Sequence, residues 1–215
     1  MDYNICQKVN EVIEGVIKDF IINPFIFLTE SDLQSYLYMK LLEKINNMDA
    51  CSTDNDQEWK SYRVHTEIVL AKEWSVPEKL IFKWSERCDI ILFKKESLII
   101  NNDDICLKKD ASNKWYIAVP EIIIEIKLRR NNKTTHESYL SQITKDVEKL
   151  KVIKERSFET YWWKIFRNTH MFVFALDQNS KGIEENINIL QCNPENRYIK
   201  IYYKHKMQQE SLFNL

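Results

Sequence analysis

An apolar run ends in a charged pair near the middle of the chain: Ile122 to Ile124 are followed by Glu125, Ile126 and Lys127. Apolar residues at successive positions are typical of a central strand that is buried on both faces of a sheet. Because neighbouring side chains of a strand point to opposite faces, Glu125 and Lys127 share one face. The sequence therefore predicts a central strand that holds a carboxylate and an ammonium side by side on a rigid support.

A second apolar run, Ile90 to Phe93, has an acid, Asp89, at its start. An acid two residues before a lysine also occurs at Glu58 and Lys60. Composition alone is expected to produce that pattern about three or four times, so the pattern by itself proves nothing. Only the pattern that begins at Glu125 follows a strand with its own acid and precedes a well-patterned helix. Its context gives it weight.

Composition fits one globular domain, since the chain has 215 residues of which 44% are hydrophobic. No apolar run approaches the roughly 18 residues that span a bilayer, so we expect a cytoplasmic protein with no membrane partner. The five cysteines are scattered and show neither zinc-finger nor redox spacing. Only two glycines are present, so a glycine-rich phosphate loop is excluded and nucleoside triphosphate chemistry is disfavoured.

Charge restricts how the chain can bind nucleic acid. The formal net charge of −1 gives no overall attraction to a polyanion, so binding must depend on local patches. Two basic patches contain no acid. The first consists of Lys127, Arg129, Arg130 and Lys133, and the second of Arg197, Lys200, Lys204 and Lys206. Solvated surface charge is the alternative interpretation, and the first patch gains weight from its place after the charged strand.

Helical spacing of apolar residues predicts three helices. The first covers about residues 5–20 and ends at Asn23 and Pro24. Thr29 is the predicted N-cap of the second, with Asp32 at the capping-box position. Its buried stripe is Leu33, Leu37, Leu41 and Ile45. The third helix begins at Ser138, and its apolar stripe consists of Leu140, Ile143, Val147 and Leu150. A neighbouring polar row consists of Gln142, Asp146 and Lys149. The helical spacing continues with Phe158, Tyr161, Trp162 and Ile165.

Strand patterns fill most of the remaining chain. Strands are predicted over residues 62–70, 89–93, 117–128, 171–176 and 197–203, with a hairpin around 101–102 and 110–113, turns over 71–87 and a polar loop over 49–58. We expect an α/β (α+β) fold in a single domain over residues 1–215, with a central mixed β-sheet flanked by helices. The core, about residues 29–176, follows the order αβββαβ. Residues 1–28 add an N-terminal helix, and residues 177–215 form an extension that includes a strand.

This order of elements, with acids at Glu30, Asp89 and Glu125 and a lysine at Lys127, resembles the PD-(D/E)xK nuclease superfamily, which has the restriction-endonuclease-like fold. The resemblance covers roughly residues 29–176. It implies that the three acids bind Mg²⁺ (or Mn²⁺) and that Lys127 orients or activates water. Cys88 stands where the family usually has a proline.

The same resemblance implies that a polar residue and a lysine on the following helix approach the site or the phosphate, here Gln142 and Lys149. With Arg129 and Arg130, they are the expected contacts to nucleic acid. Both helix residues also fit the solvated flank of an amphipathic helix. Glu67 and His65 share a face of the strand over 62–70, so either can reach the metal, replace Glu30 or hydrogen-bond the substrate.

Physical chemistry supports a cation independently of the family. Three carboxylates within about 4 Å of one another repel by roughly 4 kcal/mol per pair at an effective dielectric near 20, so they must take up protons or a cation. An oxygen-only cluster favours Mg²⁺ or Mn²⁺. Each acid also has an interpretation that involves no metal. A negative charge is favourable in the first turn of a helix, where Glu30 lies. Asp89 can pair with Arg87 or Arg63, and Glu125 can pair with Lys127.

The expected function is that of a Mg²⁺-dependent DNA endonuclease with a defence, restriction or mobile-element role. One alternative is an inactive or regulatory protein of the same fold that binds nucleic acid or a protein partner. Another is an RNA endonuclease, for which His65 is the supporting residue. DNA is favoured over RNA, and a homodimer is expected if both strands of a duplex are cut, because one such site cuts one strand.

Overall fold

The computed structural model describes residues 3–45, 48–51, 59–69, 74–76, 80–82, 87–94, 107–109, 115–117, 119–130, 134–159, 166–179 and 181–206. Within them lie four α-helices, which are α1 (Tyr3–Ile22), α2 (Glu30–Ile45), α3 (His136–Glu159) and α4 (Glu184–Cys192). The strands are β1 (Met48–Cys51), β2 (Trp59–Tyr62), β3 (Val64–Val69), β4 (Trp74–Val76), β5 (Leu80–Phe82), β6 (Arg87–Phe93), β7 (Leu107–Lys109), β8 (Trp115–Ile117), β9 (Pro120–Arg129), β10 (His170–Asp177) and β11 (Ile199–His205). A short 3-10 helix covers Pro194–Asn196.

Five strands form a mixed open sheet in the order β11-β10-β9-β6-β3. The pairs β3 with β6 and β6 with β9 are antiparallel, whereas β10 and β11 are parallel. Strand β9, which carries the isoleucine run, lies in the middle, so the predicted central position is confirmed. The α+β class and the mixed sheet are confirmed as well. Elements α2, β3, β6, β9, α3 and β10 follow one another in the predicted order.

The chain forms two compact units. One comprises Met1–Leu37, Ile126–Val152 and Met171–Leu215, and the other comprises Tyr38–Glu125 and Ile153–His170. The prediction of a single domain stays a prediction. None of the described helices is both long and apolar enough to span a lipid bilayer.

In the first unit, α1 buries the predicted apolar face. Its buried residues are Ile5, Val9, Val12, Ile13, Val16 and Phe20. Strand β10 is buried at successive positions, as expected for a strand that has neighbours on both sides. Just after β10, Gln178 Nε2 donates to the carbonyls of Pro24 (3.0 Å) and Phe27 (2.7 Å) and so fixes the turn between α1 and α2.

Helix α2 begins with the predicted capping box. The Thr29 amide donates to Asp32 Oδ2 at 2.8 Å, and the Asp32 amide donates to Thr29 Oγ1 at 3.1 Å. Two amides that have no partner within the helix are thereby satisfied. The predicted stripe of Leu33, Leu37, Leu41 and Ile45 is buried. The cap and the stripe together set the direction of α2 and the position of Glu30 in its first turn.

In the second unit, Arg63 ties β3, β6 and β9 together at one end. Its Nε donates to the carbonyl of Phe93 at 2.9 Å, and its guanidinium pairs with Glu121 at 2.6 Å. Arg63 is 6% exposed. Burying a charged side chain is unfavourable unless it is paired and hydrogen-bonded, and both conditions are met here.

Some predicted boundaries are wrong. The loop expected over 49–58 begins with β1, which pairs antiparallel with β2, and residues 52–58 lie outside the described part. The strand expected over 117–128 is two elements, β8 and β9, and β9 starts at Pro120. The region over 71–87 was expected to contain turns, but it includes β4 and β5, which pair as antiparallel strands. Short pairs of strands have too few residues to show an alternating pattern.

The hairpin expected around 110–113 is confirmed, since β7 pairs antiparallel with β8 on either side of those residues. Helix α4 was not predicted. Only Ile187 among its nine residues is buried, so the apolar periodicity that identifies a helix is nearly absent. The expectations for residues 101–102, 161, 162 and 165 fall outside the described residues.

We expect Thr29→Ala to lower the free energy of unfolding by about 1 kcal/mol, because it removes the acceptor of the capping box. Urea unfolding followed by circular dichroism measures this. Ser31→Ala is the matched control, as Ser31 is exposed in the same turn, and it should change stability by less than about 0.5 kcal/mol. Equal effects of the two substitutions would contradict the capping role.

Candidate active site

Two of the predicted acids lie together at the end of the ladder between β6 and β9. The antiparallel register pairs Ile91 with Ile123 and Ile90 with Ile124. Asp89 and Glu125 are the next residues of the two strands, immediately beyond the last pair. Since paired residues share a face, both acids point to the face opposite Ile90 and Ile124. Asp89 is half-buried and Glu125 is 1% exposed.

Strand β3 carries the two optional candidates, Glu67 and His65. The register with β6 pairs Thr66 with Ile90 and Ile68 with Cys88, and Glu67 lies between these pairs with a positive φ of 58°. Positive φ is uncommon for a residue with a side chain, so the strand is distorted at this point. The Glu67 carboxylate lies 3.3 Å from the Arg87 guanidinium.

His65 is half-buried and its ring contacts the edge of Phe93, with 5.7 Å between the ring centroids. Burial lowers the pKa of His65 and so favours the neutral ring. Its Nε2 atom is buried and makes no hydrogen bond to the described part of the chain. A neutral imidazole with a free nitrogen is able to accept a proton or to bind a metal.

Lys127, two residues after Glu125, makes close contacts with three oxygen atoms. Its ammonium donates to the carbonyl of Ile126 at 2.8 Å, and lies 3.0 Å from Asp146 Oδ2 and 3.5 Å from Glu30 Oε1. Glu30 Oε2 accepts from the Leu128 amide at 3.2 Å. The predicted metal ligand Glu30 is thus placed beside the lysine. Helices α2 and α3 each supply one carboxylate to it.

Asp146 was not among the candidate residues. It belongs to the row beside the buried stripe of α3, where Ile143, Val147 and Leu150 are buried as predicted. Leu140 is only half-buried, and Tyr139 takes the corresponding place in the core. The sequence does indicate that Asp146 lies near the packing interface, because it is a polar residue next to the buried stripe of α3. The sequence does not indicate which residue Asp146 contacts.

Arg129, an expected contact to nucleic acid, is instead buried at the end of β9. Its Nε donates to Asp177 Oδ1 at 2.7 Å, its second nitrogen donates to Asp177 Oδ2 and to the Lys181 carbonyl (3.1 Å), and its guanidinium lies over the Tyr139 ring. Arg129 is 1% exposed and Asp177 is 0% exposed. Arg129 is therefore not part of the surface.

Tyr203 completes the surroundings of Asp177. Its hydroxyl donates to Asp177 Oδ2 at 2.7 Å and accepts from the Ile183 amide at 3.0 Å. Burial and the hydrogen bond to Asp177 raise the pKa of Tyr203, so the hydroxyl remains a proton donor. This network joins β9, β10 and β11 through buried polar groups whose hydrogen bonds are satisfied.

The other expected contacts to nucleic acid remain at least partly accessible. Arg130 directly follows β9 and is half-buried, Gln142 is exposed on α3, and Lys149 is half-buried on the same helix. All three belong to the first unit.

Within the described residues, no group of three or more histidine, cysteine, aspartate or glutamate side chains is arranged to hold a metal ion. No protein-family model, no curated protein and no solved structure matches the chain. The resemblance to the PD-(D/E)xK superfamily and the Mg²⁺ site therefore stay predictions. What the structure provides is a pair of acids beyond the ladder of β6 and β9 in the second unit, and a lysine held by two carboxylates in the first unit.

We expect Asp177→Asn to destabilise the protein by about 3–5 kcal/mol, because it leaves the Arg129 guanidinium buried without its counter-charge. Tyr203→Phe should cost less, about 1.5–3 kcal/mol, since it removes the hydrogen bond to the charged Asp177 and the acceptor of the Ile183 amide but leaves the ion pair in place. Tyr198→Phe is the matched control, as Tyr198 is 40% exposed. Denaturant unfolding compares the three variants. A cost for Asp177→Asn no greater than that of the control would show that the ion pair is not needed.

Proposed function

We propose that the chain is a Mg²⁺-dependent nuclease of the PD-(D/E)xK type that hydrolyses phosphodiester bonds, with DNA as the favoured substrate. The observation that carries the proposal is the position of Asp89 and Glu125, next to each other beyond the β6–β9 ladder and on one face. Lys127 follows on the same face of β9. Like charges at neighbouring positions of a sheet repel each other, and a bound divalent cation would relieve that repulsion.

Two carboxylates suit the proposed cation. Mg²⁺ is usually bound through one or two carboxylates and keeps several waters, which a substrate phosphate can replace. Asp89 and Glu125 would hold it, with water and substrate phosphate as the further ligands, because neither Glu67 nor His65 on β3 joins the two acids in a group of three. When bound, the ion would stabilise negative charge on the phosphate and lower the pKa of a bound water.

The remaining residues have roles that do not involve the ion. Lys127 supplies a positive charge that orients the attacking water or stabilises developing negative charge. Glu30 is assigned to Lys127 rather than to the metal, because its two oxygens contact the lysine ammonium and the Leu128 amide. Arg130 and Lys149 offer positive charges, and Gln142 offers an amide, for contacts to phosphate, which position a nucleic acid without reading its sequence.

The test is a cleavage assay with Mg²⁺ or Mn²⁺ on supercoiled plasmid, linear duplex, single-stranded DNA and RNA. We expect cleavage that EDTA abolishes, and a loss of about 100-fold or more in Lys127→Ala, Asp89→Asn and Glu125→Gln. Lys145→Ala and Glu155→Gln are matched controls, because both residues are exposed on α3. Their cleavage should stay within about two-fold of the wild type.

The substrates also separate the alternatives. Cleavage of RNA alone would identify an RNA endonuclease, and His65→Ala would then be the informative variant. Linear product without a nicked intermediate would indicate a homodimer, which light scattering can check. If the folded wild type cuts no substrate and calorimetry detects no binding of Mg²⁺ or Mn²⁺, the nuclease proposal is overturned. A binding or regulatory protein is then the better interpretation.

A further inference from the structure

We propose that Asp146 is a positioning residue, which fixes the ammonium of Lys127 on the face of β9 that carries Glu125. The inference rests on the proposed function, because it explains how the lysine of that site is held. It concerns a residue on α3 that the pattern of acids and lysine does not include.

The contacts of Lys127 are unequal. Asp146 Oδ2 lies 3.0 Å from the ammonium, whereas Glu30 Oε1 lies 3.5 Å away. The side chains of Lys127 and Asp146 are 15% and 13% exposed, and that of Glu30 is 45% exposed. Water and salt screen a partly buried pair less than an exposed one. The Asp146 contact is an ion pair without hydrogen-bond geometry, whereas Glu30 accepts a hydrogen bond, so Asp146 holds the ammonium through charge in the less exposed pair.

Helix α3 also approaches the backbone of Lys127. The Tyr139 hydroxyl donates its one proton to the Leu176 carbonyl at 2.9 Å, and its oxygen lies 3.4 Å from the Lys127 carbonyl. Tyr139 and Asp146 are seven residues apart, which is two helical turns, so they lie on the same face of α3. One face of one helix thus contacts both the backbone and the side chain of Lys127.

The packing of α3 makes these contacts specific. Tyr139, Ile143 and Val147 are at most 1% exposed, and they anchor the helix on both sides of Asp146 along the chain. The Asp146 carboxylate therefore has little freedom to move away from the ammonium. The ammonium of Lys127 is thus held in place by a carboxylate that α3 fixes.

The test uses the full chain and two measurements. The first does not depend on activity: trace acetylation of amines with acetic anhydride at one fixed pH, measured for the Lys127 peptide by mass spectrometry. In Asp146→Asn, Lys127 should be labelled several-fold faster, because its ammonium is no longer held at the Asp146 carboxylate. Glu148→Gln is the control, since Glu148 is more than half exposed on the same helix and carries the same charge.

The second measurement is cleavage. We expect kcat to fall by about 10- to 100-fold in Asp146→Asn, as for other misplaced catalytic groups, with KM within about two-fold of the wild type. Asp146→Glu keeps the charge and displaces it by one methylene. It should therefore keep the labelling rate of the wild type and still lose kcat. Circular dichroism checks folding, and Asp146→Glu supplies the answer if Asp146→Asn does not fold.

The outcomes separate this inference from the proposed function. Unchanged labelling of Lys127 in Asp146→Asn overturns it, as does changed labelling with unchanged kcat. If the wild type cuts nothing while the labelling still shifts, the nuclease proposal fails. The contact between Asp146 and Lys127 is then structural, and the catalytic role given to Asp146 is overturned as well.

Discussion

The buried ion pair between Arg129 and Asp177 fixes the end of the strand on which the candidate site is built. Removing two charges from water is costly, and only good geometry with further hydrogen bonds offsets that cost. Here the guanidinium makes two bonds to the carboxylate and one to the Lys181 carbonyl, while the carboxylate also accepts from Tyr203 and from the Asn179 amide. The pair holds β9 against β10 two residues after Lys127, and so limits how far Lys127 can move.

Upstream of this pair, the apolar character of β9 determines where polar chemistry can occur. Ile122, Ile124 and Ile126 are at most 1% exposed, so the strand offers no polar position on their face in this stretch. The charged residues Glu125, Lys127 and Arg129 share the opposite face by alternation, and Glu121 lies at the register shift of β9 against β6. Arg63 pairs with Glu121, Asp146 and Glu30 with Lys127, and Asp177 with Arg129. Charges persist in this buried strand because other elements supply their partners.

Sequence patterns predicted the parts of the fold that depend on long apolar periodicity. The isoleucine run identified the central strand, and the stripes of α1, α2 and α3 identified their buried faces. The same patterns placed Asp89 and Glu125 on apolar strands, and the register between Ile90 and Ile124 then brought the two acids together. Helix α4 and the short strands β1, β4 and β5 were missed, since each buries too little or is too short to show a period.

The partners of individual charges could not be predicted, because pairing depends on the packing of elements that are distant in sequence. Glu30 and Lys127 are 97 residues apart, and Arg129 and Asp177 are 48 apart. A basic patch in the sequence therefore combined residues whose side chains differ in their exposure to solvent. Arg129 is 1% exposed, whereas Lys127 is 15% exposed.

The choice between arginine and lysine at these two positions follows from their surroundings. A guanidinium has a planar fork that matches a carboxylate with two bonds, which suits the buried pair of Arg129 with Asp177. An ammonium is a compact charge with three rotatable donors on a flexible stem, so Lys127 can contact oxygen atoms that approach from two helices and from its own strand. Arginine at position 127 would demand a planar partner that Glu30 and Asp146, approaching from two helices, do not provide. Lysine is therefore the cation that this face of β9 can hold in place between carboxylates from two helices.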